Sequence, residues 1–588
     1  PGSDPKLRDQ IVILSAYYDS TSIAPAIAPG AESACGIAGL FELARVFQKN
    51  PPKRTVWLLA TDGHFQGLAG IRFWLDQNFD RFIQPGIGEK ISRWFARVTG
   101  RPAPKRERDN IYLFCGLDLS SHSQGVGIFY KGYFFDFRED LKGRFSDLAT
   151  VARENAAAIA KALGRDADQA FADGVNDIAG KNWRNYIPGK IAFDAEAVSV
   201  GGGVGISFAT INDARSQVDT PFDTFEKTTP ANVGEQVRMI ACIIDRFLQD
   251  PTQTGRLSAR TFPIREPNAF QRIGIQGGFA TVSGQVVEYD PRKSFVPNQP
   301  VGDSIAIYRN GNKSFMGVRA NLVEVTDGKG NFEFPGVAPV TAYGGVHPSS
   351  LAGYNLDKET GAIRFAPDQG VFGGEFNYTA FDVATSSKAM PVIVFPCVAT
   401  NVFDLVDPQS LRVLGGLQVL DGATNGPPRT FGTAVAVPEW MVSHVEDGAV
   451  IFTEPDINIK ILMDAGPAAT RLLLLNSTGS DTAAEAEGHG YNVGNGTIIT
   501  NTAYKAAKDM WTLNDFRIRR LARYRIINQG LDKLHQQAKV ELTKAEDALK
   551  AQDFESFESY SRSAWGFAAR AYPDVQRTAS DVVRGVLF

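Results

Sequence analysis

Between Ile11 and Asp250, short apolar and β-branched runs alternate with longer stretches in which apolar residues return every three or four positions. Ile11 to Ala16, Thr55 to Ala60 and Ile111 to Leu117 have the length and composition of strands, whereas Gly36 to Gln48, the alanine-rich Ala149 to Leu163 and Val233 to Leu248 have helical spacing or propensity. This alternation predicts an α/β domain, a mixed sheet layered with helices, over residues 1–252.

The pattern changes after Asp250-Pro251. Gly, Pro, Val and Phe become more frequent, and strand-length segments are separated by turn signals such as Asn310-Gly311, Asp327-Gly328 and Gly330-Asn331. These features predict β-sandwich modules, one over 270–365 and a second β-rich domain over 366–500. From Asn501 the apolar positions Phe516, Leu521, Tyr524, Ile527, Leu531, Leu534, Ala538, Leu542, Ala545 and Leu549 fall near helical spacing. A long amphipathic helix, followed by a second that opens at Asp553 and breaks at Tyr572-Pro573, would form a helical hairpin over 501–588. Such a hairpin serves either as a packing element or as a stalk near a membrane.

A chain of 588 residues is long enough for about two to four domains. With 43% hydrophobic and 21% charged residues it has the balance of a globular protein, and a formal net charge of −4 without basic clusters argues against nucleic-acid partners. Its four cysteines, Cys35, Cys115, Cys242 and Cys397, lie far apart in apolar surroundings and read as free buried thiols, not as zinc ligands. No run of eighteen apolar residues occurs, and Pro1 to Arg8 lack the apolar core of a signal peptide. The abrupt start and the apolar last residues suggest a piece of a longer protein, leaving room for membrane attachment beyond Phe588.

Three segments carry the candidate chemistry: Ala16-Tyr17-Tyr18-Asp19-Ser20, Pro29-Gly30-Ala31-Glu32-Ser33-Ala34-Cys35-Gly36 and Asp62-Gly63-His64-Phe65-Gln66-Gly67-Leu68-Ala69-Gly70. With Leu40 to Arg45 and Lys53 to Val56, their order and spacing resemble the zinc aminopeptidase and transferrin receptor-like peptidase family. Further on, Val282 to Val287 and Thr326 to Phe334 resemble the transthyretin-like regulatory domain attached to carboxypeptidases, over roughly residues 275–345.

The peptidase resemblance implies a pair of zinc ions held by His-x-Asp-Ser, Pro-Gly-Ala-Asp-Asp and Glu-Glu-x-Gly-Leu segments, by a Leu-Asp and by a His-Thr-Pro-x-Asp loop. The last two are matched by Leu117-Asp118 and by Asp219-Thr220-Pro221-Phe222-Asp223. The ligands themselves are mostly replaced. Tyr17 stands for the first His, Ser33 for the bridging carboxylate, His64 for the general base, Phe65 for the ligand Glu and Asp219 for the last His; Asp118 alone persists. Two adjacent zinc ions need an anionic bridge, which a neutral serine cannot supply, and no carboxylate remains in the place that activates water.

The expectation is therefore a site without catalytic residues, metal or other cofactor, with vestigial positions at Tyr17, Asp19, Glu32, Ser33, His64, Phe65, Asp118 and Asp219. The competing expectation is an active zinc aminopeptidase with a remodelled site built from Asp19, Glu32, His64, Asp118 and Asp219, since ligands of open α/β sheets sit beyond the carboxyl ends of the strands. His122, close behind Asp118, suggests a Ser-His-Asp arrangement only weakly, because no Gly-x-Ser-x-Gly elbow is present. Gly201 to Gly205 lacks the helix start of a dinucleotide loop and reads as a flexible or closely packed backbone. Taken together, the resemblances imply a peptidase-like pseudoenzyme of the bacterial envelope or extracytoplasmic space. It would act as a scaffold for protein partners or a larger assembly, or bind peptides in the emptied cleft.

Overall fold

The computed structural model describes residues 1–24, 26–78, 111–134, 145–178, 180–188, 191–200, 203–250, 280–289, 294–310, 321–337, 349–370, 387–411, 414–435, 448–464, 470–494 and 496–587. The junction between the domains expected over 1–252 and 270–365 lies outside them, as do Gly201 and Gly202 of the glycine-rich loop.

Six strands form the N-terminal sheet: β1 (Ile11–Tyr17), β2 (Thr55–Thr61), β3 (Ile111–Asp118), β4 (Val126–Phe129), β5 (Phe171–Asp173) and β6 (Gly205–Thr210), in the order β2-β1-β3-β6-β4-β5. Strands β2, β1, β3 and β6 run parallel, and β4 is antiparallel to β6, which makes the sheet mixed. All seven residues of β1 are buried, as required of a central strand covered on both faces.

Helices α1 (Cys35–Lys49), α3 (Ser146–Ala162) and α6 (Pro230–Gln249) cover one face with Leu40, Leu43, Phe47, Ala152, Ala156, Val237 and Ile240. The other face is covered by α2 (Ala69–Asn78) and α5 (Asp194–Val200) through Ile71, Leu75, Ala195 and Val198; α4 (Ala167–Ala170) is a single turn before β5. The predicted strands and helices thus appear within a few residues of their expected limits. Arg54, fully buried, ties the start of β2 to the end of α6: its Nη1 donates to the carbonyls of Phe247 and Asp250 at 2.6 and 2.9 Å. Gly205 is closely packed, since a Cβ there would lie 2.4 Å from the Ala195 carbonyl oxygen.

The β-rich region begins with β7 (Ala280–Glu288), β8 (Gln299–Pro300), β9 (Ile305–Asn310), β10 (Leu322–Val325), β11 (Asn331–Val337), β12 (Ser349–Leu356), β13 (Ile363–Pro367) and β14 (Ser387–Pro396), hydrogen-bonded along β10-β9-β12-β13-β14-β7-β11 with β8 on β7. Val282 to Val287 and Asn331 to Phe334, read above as transthyretin-like, lie on the antiparallel neighbours β7 and β11. This module touches the α/β domain through α2: Ala69 packs on its core, and Gly336 of β11 approaches Arg72 so closely that a Cβ would meet the Arg72 Cβ at 2.5 Å.

Two further sheets follow, ordered β17-β18-β15-β22 and β16-β19-β20. They are built from β15 (Val398–Val402), β16 (Gly415–Asp421), β17 (Phe431–Val435), β18 (Ala449–Thr453), β19 (Asn458–Asp464), β20 (Thr470–Leu474) and β22 (Thr497–Ile499), while β21 (Tyr491–Asn492) pairs with β19. After the short α7 (Ala483–Glu487) come α8 (Thr502–Arg523), α9 (Gln529–Lys550) and α10 (Phe554–Leu587). A hairpin of α9 and α10 is joined by a third helix, α8, which differs from the two helices expected. Asn528 starts α9 by accepting hydrogen bonds from the N–H groups of Gly530 and Leu531, and exposed Tyr524 and Ile527 lie in the connection, not on a continuous helical face. The break expected at Tyr572-Pro573 does not occur. Pro573 lies inside α10, where burial of Ala571, Tyr572 and Val575 outweighs a helix penalty of about 3 kcal/mol. One core joins this bundle to the preceding sheets, running from Val398, Ile451 and Leu473 to Ala507, Met510, Trp565 and Tyr572. No described helix is long and apolar enough to cross a membrane.

Candidate functional site

The parallel strands end together, and their register aligns the residues that resemble a peptidase site. Tyr17 pairs with Thr61 and Ser15 with Gly116, so Tyr17, Thr61 and Asp118 close three adjacent strands; Asp118 in turn pairs with Ala209 of β6. The loops beyond this edge hold the remaining positions.

Two of the expected ligand positions, Tyr17 and Phe65, and the general-base position, His64, form an aromatic cluster. The rings of Tyr17 and His64 stack at 3.8 Å, and Phe65 meets both edge-on, 5.6 Å from Tyr17 and 5.0 Å from His64. His64 is buried, and its Nδ1 lies 2.9 Å from Oδ1 of Asp194, the first residue of α5, whose Oδ2 accepts from Thr61 Oγ1 at 2.9 Å. Burial works against protonation of His64, yet the Asp194 carboxylate, with Asp118 and Asp19 beyond it, holds its pKa above the usual value. Burial and the same acidic groups push the Tyr17 hydroxyl well above its ordinary range.

Asp118, which matches a ligand position in the peptidase resemblance, is charge-paired within the protein. Arg215 Nη1 donates to its carboxylate, and Nη2 donates to its backbone carbonyl at 2.9 Å; the two side chains are only 10% and 7% exposed. Arg215 adopts a left-handed backbone with φ +52°, which turns the loop after β6 back toward β3.

The loops before α1 and after β3 form a third cluster. Glu32, 2% exposed, accepts hydrogen bonds from the Ser121 N–H at 2.6 Å and from the Ser121 hydroxyl, and its Oε1 lies 3.1 Å from His122 Nδ1. Asp213 Oδ2 accepts from Ser120 Oγ at 2.7 Å and from the His122 N–H at 3.2 Å. Asp223 accepts from the Glu32 N–H at 2.7 Å, so the retained Thr-Pro-x-Asp loop still clamps the Pro-Gly-Ala loop. Gly30 is required there: at φ +68° a side chain would be strained, and a Cβ would lie 2.3 Å from Ser20 Cβ.

Asp19, Glu32, His64, Asp118 and Asp219 are therefore divided among separate clusters and do not meet as one donor set among the described residues. Asp19 accepts weakly from the Phe65 N–H at 3.4 Å, and burial raises its pKa. Ser33 is buried beside Glu32, and Asp219 lies on a left-handed turn bridged to Ser22. His122 sits on Glu32 and Asp213, not in a catalytic triad with Asp118. A pair of zinc ions does not fit these residues, because rings fill two ligand positions, Tyr17 and Phe65, and the general-base position, His64, while a guanidinium is paired with Asp118. The group that has metal-ligating spacing is Glu32, His122 and Asp213. Sequence reasoning missed Arg215, Asp194 and Asp213, for which no motif spacing gave a signal.

No curated protein matches the chain. Among solved structures it is similar to a zinc aminopeptidase from Bacillus subtilis, at 13% identity over 44% of this chain and 50% of that one with a TM-score of 0.28. An aminopeptidase from Aneurinibacillus sp. strain AM-1 gives 15% identity over 42% and 46% with a TM-score of 0.28. The gamma-secretase component nicastrin gives 8% identity over 62% of each chain with a TM-score of 0.27. The chain spans about half the length of the first two structures. Residues 1–85, which include Tyr17, Ser33, His64 and Phe65, match the model of peptidase family M28.

Proposed function

We propose that this protein is a peptidase-like pseudoenzyme: its α/β domain is kept for its shape and surfaces, and the chain works outside the cytoplasm as a scaffold or interaction subunit of a larger, membrane-associated assembly. The observation that carries this reading is the Arg215 guanidinium on Asp118 beside the Tyr17, His64 and Phe65 rings, which takes the charge and space of a hydrolytic metal pair. The resemblance of residues 275–345 to a carboxypeptidase-associated domain supports the extracytoplasmic setting. Peptides are the favoured guest of the altered cleft, with the amino terminus directed toward the acidic side chain of Asp19.

The test is hydrolysis of a panel of aminoacyl p-nitroanilides by the full chain, with and without added zinc. No turnover above the uncatalysed rate is expected. Chelator-sensitive turnover would overturn the proposal in favour of a zinc aminopeptidase with remodelled ligands.

A further inference from the structure

We infer that Glu32, His122 and Asp213 form a binding site for one divalent transition-metal ion of the zinc class, separate from the ligand positions of the peptidase resemblance at Tyr17, Ser33, Phe65, Asp118 and Asp219. Each contributes one donor atom, and the three donors lie within 4.8 Å of one another. His122 Nδ1 is 3.1 Å from Glu32 Oε1 and 3.9 Å from Asp213 Oδ2. Donors around a tetrahedral zinc ion with bonds of about 2.0–2.1 Å stand about 3.3 Å apart, so a small rotation of one side chain closes the set.

Charge balance supplies an independent reason. Glu32 and the Asp213 side chain are 2% and 4% exposed, and the basic side chain against Glu32 among the described residues is the His122 imidazole. Two buried carboxylates facing one imidazole leave negative charge in need of a cation. Arg215 donates to Asp213 through its backbone N–H, at 2.8 Å, and its charge also acts on that carboxylate, but its guanidinium hydrogen-bonds Asp118.

The surroundings have the form of a support shell. Ser121 N–H and Oγ orient Glu32, and Ser120 Oγ and the His122 N–H orient Asp213. His122, 39% exposed, closes the site from the solvent side, where water completes the coordination. An ion there cross-links the loops that follow β1, β3 and β6 and so staples the sheet edge, without needing the bridging carboxylate or general base of a hydrolase.

The test is calorimetric titration of the metal-stripped full chain with zinc chloride. One equivalent is expected to bind, with a thermal midpoint that rises with zinc concentration. His122→Ala, a change at an exposed position, and Asp213→Asn each weaken binding by at least about 100-fold, Ser121→Ala by about 10- to 100-fold, and His489→Gln and Cys242→Ser leave it unchanged. Circular dichroism establishes that each variant is folded, and cobalt substitution gives d–d bands without a thiolate charge-transfer band. The inference is overturned if zinc does not bind at millimolar concentration, or if binding survives both His122→Ala and Asp213→Asn. Zinc uptake without hydrolysis upholds both this site and the pseudoenzyme reading, whereas uptake with hydrolysis upholds the site and removes that reading.

Discussion

The Arg215 guanidinium grips Asp118 twice, through the carboxylate and through the backbone carbonyl at 2.9 Å, and so fixes the loop after β6 to the end of β3. Removing one member of a buried pair strands the other charge. Arg215→Ala is therefore expected to cost about 3–5 kcal/mol, read as a lower urea midpoint. The double variant Asp118→Asn/Arg215→Met should recover much of that loss; a double variant no better than the single one would show that the pair is not the source.

The raised His64 pKa has a definite sign in stability. A group whose folded pKa exceeds its unfolded value of about 6.5 stabilises the fold fully below that pH and loses the contribution as pH rises through the folded value. The difference in thermal midpoint between wild type and His64→Phe should accordingly shrink as pH rises above about 6.5. A difference that stays constant or grows would contradict the His64–Asp194 coupling.

Thiol reactivity should separate the four cysteines. Burial pushes Cys35 and Cys397 up to about 12 and raises Cys115 further, whereas Cys242 is exposed. Iodoacetamide at pH 8 is expected to label Cys242 in the native protein and all four residues after denaturation, as read by mass spectrometry. Rapid native labelling of Cys35 would show that the loop before α1 is open.

Two glycines with the same backbone hand should respond differently to alanine. Gly361, at φ +71°, has open space around a Cβ, so Gly361→Ala carries only the left-handed backbone cost of about 1 kcal/mol. Gly30→Ala adds a collision with Ser20 and should lower the urea midpoint clearly more. Equal losses would mean that the Pro-Gly-Ala loop yields to the side chain.

Local pattern carried most of the α/β fold into view. The strand that ends at Tyr17 and the helix after Ala34 follow from apolar periodicity, and the expectation of replaced ligands rests on comparison of short motifs. Arg215 was hidden because its partner lies 97 residues earlier in the chain, and the aromatic cluster became visible only when register placed Tyr17 beside the loop of His64. In the C-terminal bundle, Tyr524 and Ile527 mimicked a helical face across a real break. The Asn528 cap was the local signal that could have revealed it, while Pro573 signalled a break that packing suppresses.

The core that joins Val398 to Tyr572 also constrains synthesis. During translation the sheets of residues 398–499 leave the ribosome before α10 exists, so their apolar faces wait for Trp565, Ala568 and Tyr572. This core is complete only after α10 emerges, whereas the described strands and covering helices of the α/β domain all lie within residues 11–250. The apolar faces of these sheets are consequently open to aggregation in the interval before α10 emerges.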